Sequence, residues 1–260
     1  MKRIVTVFAV AAIAASARAG VTYNFASVSS GMHETTVTGT ATTDRGRMRI
    51  DITRGDGSVL RDHMVALSIR EGQALRVLDP SARTYYDVDL EQLLGGVGAM
   101  VKQLEGLVTV RVENVTVNAQ DAGDGGTIEG FATRRNLVEC EYDLVLDAFG
   151  QKSTIHVATN VESWLTEALP DAAVFQLSGG KSGIDDIDKL IEAQSGTAKG
   201  FPLKQITKLR ANEISSMTTM TVSDVRREEV DASRFRTPRG YRRLSRTRVS
   251  SPATVDSARR

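Results

Sequence analysis

In Arg47-Met48-Arg49-Ile50-Asp51-Ile52-Thr53 apolar and polar residues alternate strictly, and this period of two constrains the fold more than any other feature. Successive side chains of a strand point to opposite faces, so Met48, Ile50 and Ile52 share one face and the charges take the other. Residues 35–42 are a second β-branched run, and Asp44-Arg45-Gly46 between the two reads as a hairpin turn. Arg54-Gly55-Asp56-Gly57 turns the chain into 63–69, Glu71-Gly72 into 74–78, and Asp79-Pro80-Ser81 into 84–88. Strands resume over 107–118, a turn is expected at 121–126, and further strands over 127–133, 137–146 and 153–159, the last introduced by Phe149-Gly150. Residues 203–212 and 215–227 read as a closing hairpin. The pattern is a meander of antiparallel strands joined by tight turns.

Two apolar stripes at helical spacing interrupt it. Asp89 with Gln92 forms a capping-box pattern, and Leu90, Leu93, Leu94, Val97, Val101 and Leu104 then fall on one face. Gly95, Gly96 and Gly98 weaken this helix by about 1 kcal/mol each relative to Ala. The second stripe is Ile184, Ile187, Leu190 and Ile191, set among Asp185, Asp186, Asp188 and Glu192. The expected fold is therefore mainly β (α+β): an unclosed antiparallel β-barrel, or curved sheet, with lid helices on its concave side.

The N-terminal residues read as an address. Lys2 and Arg3 precede a short apolar run, 4–15, and Ala17-Arg18-Ala19 precedes Gly20. That is the layout of a secretory signal peptide over 1–19, too short for a membrane span of about 20 residues. No Cys follows the cleavage site, so a soluble periplasmic chain beginning near Gly20 is expected. The remainder divides into a domain over 20–241 and a basic tail over 242–260 that is expected to be disordered, because it has little to bury. Cys140 is the one cysteine, which excludes an internal disulfide, and its strand-like surroundings favour burial.

The net charge of +1 conceals an asymmetry. Residues 234–260 hold nine Arg against the single acid Asp256. Such a segment is either a solvated end or a contact for anionic lipid headgroups or an acidic partner. Nucleic acid is not expected, since beyond Tyr241, where the tail starts, it has no ring for base stacking.

Short catalytic patterns fail one by one. Gly180-Lys181-Ser182 resembles the end of a phosphate loop, but Phe175 stands where the motif needs its first glycine. Gly96-Val97-Gly98 lacks the third glycine of a dinucleotide fingerprint and sits inside the apolar stripe. Arg54-Gly55-Asp56 is ordinary turn chemistry, and Asp121 with Asp124 lacks the distal Glu of a calcium loop. His33, His63 and His156 have no partner at metal-ligand spacing. No G-x-S-x-G elbow is present, and Cys140 has no basic neighbour to activate it. No cofactor, metal or catalytic residue is assigned.

The order of several motifs is familiar. Leu78-Asp79-Pro80-Ser81-Ala82-Arg83-Thr84-Tyr85-Tyr86, then Glu162-Ser163-Trp164-Leu165-Thr166, Gly200-Phe201-Pro202-Leu203, and Asp231-Ala-Ser-Arg-Phe235 with Pro238-Arg239-Gly240-Tyr241 occur in sequence. In that order they resemble a group of bacterial secreted domains, the domain of unknown function 4412 group. The group is in turn similar to the periplasmic lipoprotein carrier and receptor (LolA/LolB-like) superfamily. The resemblance implies an unclosed antiparallel barrel whose helices lid a hydrophobic cavity for acyl chains. Two departures stand out: the family often places a Cys shortly after the glycine–aromatic pair, here Gly130-Phe131, whereas this chain has Ala132 and Thr133. The basic lid-contacting residue of the true carrier has no clear counterpart either.

The functional expectation is a non-enzymatic periplasmic protein that binds a lipid or acylated peptide in a half-open barrel. Its ligand wall is expected from Met48, Ile50 and Ile52 together with Leu90, Leu93, Leu94, Val97, Val101, Ile187 and Leu190. The alternatives are a cell-envelope interaction module whose barrel is filled by its own side chains, or a hydrolase assembled from distant residues.

Overall fold

The computed structural model describes residues 20–31, 34–56, 61–69, 74–89, 108–148, 150–170, 172, 188–189 and 199–244. They build one sheet from β1 (Gly20–Ser30), β2 (Thr35–Asp44), β3 (Arg47–Gly55), β4 (Val65–Ile69), β5 (Ala74–Asp79), β6 (Thr84–Asp89), β7 (Val108–Ile128), β8 (Phe131–Ala148), β9 (Gln151–Thr166), β10 (Phe201–Ala211), β11 (Ile214–Glu228) and β12 (Arg242–Arg243). The strand order is β12-β6-β5-β4-β3-β2-β1-β11-β10-β9-β8-β7. Its two ends do not pair with each other, so the sheet is unclosed. Every ladder is antiparallel except β12 with β6. Two meanders, β1–β6 and β7–β11, thus meet at β1·β11. The two helical stripes fall outside the described residues, apart from Asp188 and Lys189, so the described structure gives no support to the expected lid helices.

Turn chemistry sets the register. Arg45 and Gly46 both have positive φ (50° and 74°), as a two-residue type I′ hairpin demands, and Asp44 opposes Arg47 across it. Glu129 and Gly130 repeat this geometry (51° and 79°) between β7 and β8. That placement corrects the expectation of a chain reversal at residues 121–126, which β7 runs straight through. Asp121 Oδ1 accepts the Gly123 N–H at 2.9 Å, and Asp124 Oδ1 accepts the Gly126 N–H at 2.8 Å. Each closes a local Asx loop around a glycine of positive φ, and the register of β7 against β8 shifts on both sides of Asp124. Asp-x-Gly here makes bulges in a continuous strand rather than an end. The stretch 127–133 is correspondingly a hairpin, not a strand.

The sheet is strongly curved. Ile128 and Phe131, from its last two strands, pack on the buried cluster that holds Ile52 and Ala66 of β3 and β4. Glu129 in the β7–β8 turn also accepts the Asp224 N–H of β11 at 2.8 Å, three strands away in sheet order. The core of the curl is Val21, Tyr23, Ala41, Met48, Ile50, Ile52, Leu203 and Val222, with Tyr23 edge-on to Phe201 at 5.1 Å.

After β11 the chain crosses the outer face. Asp231 caps a 3-10 turn, Ala232–Phe235, by accepting the Ser233 N–H at 2.8 Å. Phe235 lies under the Arg47 guanidinium at 4.7 Å, and Arg49 donates to the Arg234 carbonyl at 3.1 Å. Thr237 Oγ1 accepts from Arg76, whose other nitrogens hold Asp87 at 2.7 and 3.1 Å. Tyr241 packs with Tyr85 on the second cluster, Val65, Leu67 and Leu78. The Arg242 and Leu244 amides then bond to the Arg83 and Tyr85 carbonyls at 2.9 and 2.8 Å. The sheet therefore takes in the first residues of the Arg-rich segment.

Candidate functional site

Residues directly opposed in an antiparallel ladder share a face, so the inner face can be followed strand by strand. From Ile50 it passes to Ala41 and Tyr23, and from Phe25 to Val222. Along β11 and β10 it continues through Thr218 opposite Thr207, Ser216 opposite Leu209 and Ile214 opposite Ala211. On β9 and β8 it carries Val161 opposite Val138, Val157 opposite Tyr142 and Ile155 opposite Leu144. It ends on β7 at Val110, Val112 and Val117. Across these β7–β9 positions the face holds no Asp, Glu, Lys, Arg or His. The outer face alternates with it and carries Glu139, Glu141, Asp143, His156, Lys208 and Arg210.

Burial divides this face. Met48, Ile50 and Ile52 are 6%, 7% and 3% exposed, packed among the protein's own Val21, Tyr23 and Phe201. At the far end Val112, Leu144, Ile155 and Val161 are only half-buried. Leu209 and Ile214 are 40% and 50% exposed, although both sit on the inner face. Cys140 lies in the middle of this apolar stretch, free and buried as expected. Burial also raises the Tyr142 phenol above its ordinary value, so it stays protonated at neutral pH.

Of the ten residues expected to form the ligand wall, the structure brings Met48, Ile50 and Ile52 together. Leu90, Leu93, Leu94, Val97, Val101, Ile187 and Leu190 lie outside the described residues. The half-buried apolar positions of β7–β11 were not assigned a role from the sequence. Their signal was present: Val138, Cys140, Tyr142, Leu144 and Leu146 alternate with Glu139, Glu141, Asp143 and Asp147.

Two surface hollows offer less. One, of about 520 Å³, is lined by Glu139, Glu141, Lys208, Arg210 and Met217 and mixes both signs of charge. The other, of about 530 Å³, gathers Asp56, Asp62, His63 and Asp79. Its carboxylates are committed to the backbone: Asp56 accepts the Thr36 N–H, Asp62 the Gly55 N–H, and Asp79 the N–H groups of Ser81 and Ala82. These bonds, led by the Ser81 hydroxyl, hold the Asp79 carboxyl below the usual range. Among the described residues no group of three His, Cys, Asp or Glu side chains is placed to hold a metal ion. Asp143 accepts from Asn114 Nδ2 at 2.7 Å and lies 2.9 Å from His156 Nδ1, which lowers its pKa. Among the described residues its side-chain partners are Asn114 and His156, neither of them a hydroxyl or thiol.

A conserved protein of Thermus thermophilus is similar at 8% identity over 88% of this chain and 91% of that one, with a TM-score of 0.41. A LolA superfamily protein of Nitrosomonas europaea is similar at 11% identity over 85% and 91%, with a TM-score of 0.35. A DUF1329 family protein of Desulfovibrio piger is similar at 9% identity over 85% and 91%, with a TM-score of 0.26. No curated protein matches the chain. Residues 151–241 match the family described as "Domain of unknown function (DUF4412)". Over that span, from β9 through the crossing that ends at Tyr241, the chain is similar to the DUF4412 family, the group that its motifs resemble.

Proposed function

We propose that this protein is a non-enzymatic periplasmic binder of an apolar ligand, a lipid or an acylated peptide, held against the inner face of the sheet. The observation that carries the reading is the continuation of that face, without a charged group, beyond the packed core to half-buried Leu144 and Ile155 and exposed Leu209 and Ile214. An apolar surface of this kind left partly open is a binding surface or a liability. Burying an acyl chain there contributes about 0.8 kcal/mol per CH₂. The proposed wall begins at Met48, Ile50 and Ile52. The signal sequence at 1–19 supports export. Among the described residues no helix is long and apolar enough to cross a membrane.

The packing of Met48, Ile50 and Ile52 into the core favours a second reading, a barrel filled by its own side chains. Uptake of a fluorescent fatty acid separates the two. The native protein is expected to bind the probe at micromolar concentration, and Leu144→Asp with Ile155→Asp to abolish uptake, while Glu141→Ala on the outer face leaves it unchanged. A native protein that never takes up the probe would move the assignment to the self-filled module.

A further inference from the structure

The crossing segment after β11 does more than cover the outer face. Between 232 and 244 it holds five Arg and no acid. Arg236, Arg239 and Arg242 are exposed, as is Arg83 beside them in the β5–β6 turn. Each lacks a carboxylate within 4 Å among the described residues. The guanidiniums of this crossing that do have acidic partners are Arg234, with Glu228 at 3.9 Å, and Arg243, with Asp87 at 3.2 Å.

What distinguishes this array from a charged tail is that its backbone is fixed. Phe235 is anchored at β3, Thr237 at Arg76 of β5, Tyr241 on Val65, Leu67 and Leu78, and the Arg242 and Leu244 amides on the β5–β6 turn and β6. The crossing thereby spreads its arginines from β3 to β6, three strand spacings or ~14 Å. Exposed Pro238 and Leu244 lie between and beside them. An extended row of cations with interspersed apolar groups, held on the outside of a sheet, complements a plane of anionic groups better than a single anion.

We propose that the Arg236–Arg239–Arg242 crossing is a docking surface for an anionic lipid bilayer, with the sheet's outer face toward the headgroups. This surface lies on the opposite side of the sheet from the proposed ligand face, and neither reading depends on the other.

Sedimentation with vesicles tests it. The protein is expected to bind vesicles of phosphatidylglycerol mixed with phosphatidylcholine, and not vesicles of phosphatidylcholine alone. Binding is expected to fall as salt shortens the screening length from about 10 Å at 0.1 M to about 3 Å at 1 M. Replacing Arg236, Arg239 and Arg242 together by Gln removes about fivefold in partition per guanidinium, roughly 100-fold in all. Its melt should be little changed, because among the described residues none of these side chains has a carboxylate within 4 Å, and the one nearby acid on which Arg236 acts, Asp231, is exposed. A comparator with Arg246, Arg248, Arg259 and Arg260 replaced by Gln should still bind anionic vesicles. Three results would overturn the proposal: equal binding to neutral vesicles, a crossing variant that binds like the native protein, or retention by an acidic polypeptide such as polyglutamate without vesicle binding.

Discussion

Gly39 is the residue on which the packing of β2 can be tested most directly. It sits opposite Ile52 on the inner face, where the β2·β3 register shifts by one residue after Thr38. A Cβ there would fall deep inside the van der Waals radius of the Asp51 carbonyl oxygen, and 3.0 and 3.1 Å from the Phe25 ring. The ring can yield by a few tenths of an ångström. The carbonyl cannot, because it belongs to the backbone of β3. Overpacking of this kind costs about 1–3 kcal/mol. Alanine also reduces the entropy of the unfolded chain, which offsets about 0.4–1 kcal/mol. The net loss for Gly39→Ala then lies between about zero and roughly 2.6 kcal/mol, or a fall in Tm of up to about 10 °C for a domain of this size. Thermal melting by circular dichroism reads it.

The mechanism makes a sharper demand than the sign. If steric overlap is the cause, Gly39→Asn should be worse than Gly39→Ala, because the larger side chain meets the same carbonyl and ring. Gly46 is the contrasting case. Its φ is 74° with nothing within 4 Å of a built Cβ, so its penalty is conformational alone. Asn tolerates the left-handed region, so Gly46→Asn should melt near the native protein and above Gly46→Ala. A raised melt for Gly39→Ala would refute the account of a tightly closed β2·β3 ladder.

Tyr241→Ala should cost about 1–3 kcal/mol by uncovering Val65, Leu67 and Leu78, a truncation milder than that of a fully buried ring. Hydrogen exchange at the Arg242 and Leu244 amides should then accelerate, and unchanged protection would show that β12 holds without it. The Asp143 carboxyl should titrate below the ordinary value of about 3.9 by carbon NMR, and Asn114→Ala should move it upward by removing its first hydrogen-bond donor. Because this pKa is depressed on folding, the associated stability is present above the ordinary carboxylate pKa and is lost as pH falls through the depressed value. The Cys140 thiol should resist a thiol reagent until the protein unfolds, and rapid modification of the native state would contradict its burial.

The parts of this architecture that the sequence disclosed are those governed by neighbours along the chain. Met48, Ile50 and Ile52 declare their face by period alone, and Asp44-Arg45-Gly46 declares its hairpin through the conformation that glycine permits. The closing hairpin, Phe201–Ala211 with Ile214–Glu228, follows the same logic. Asp121–Gly126 misled because an Asx loop around a glycine is the same local chemistry whether the chain then reverses or resumes its strand. Only the pairing with Arg134 and Ala132 on β8 decides between the two, and that pairing is not local. The crossing of the outer face was illegible for a related reason. Phe235, Thr237 and Tyr241 each meet a different strand, so they share no period, and Arg236, Arg239 and Arg242 appear in sequence merely as part of a basic end. The inner face lies between these cases. Val138, Cys140, Tyr142 and Leu144 show which side they occupy, but how much of that side the fold covers depends on curvature. Curvature is set by contacts such as Asp224 with Glu129, 95 residues apart, and so it is the exposure of Leu209 and Ile214, rather than their apolar character, that had to come from the structure.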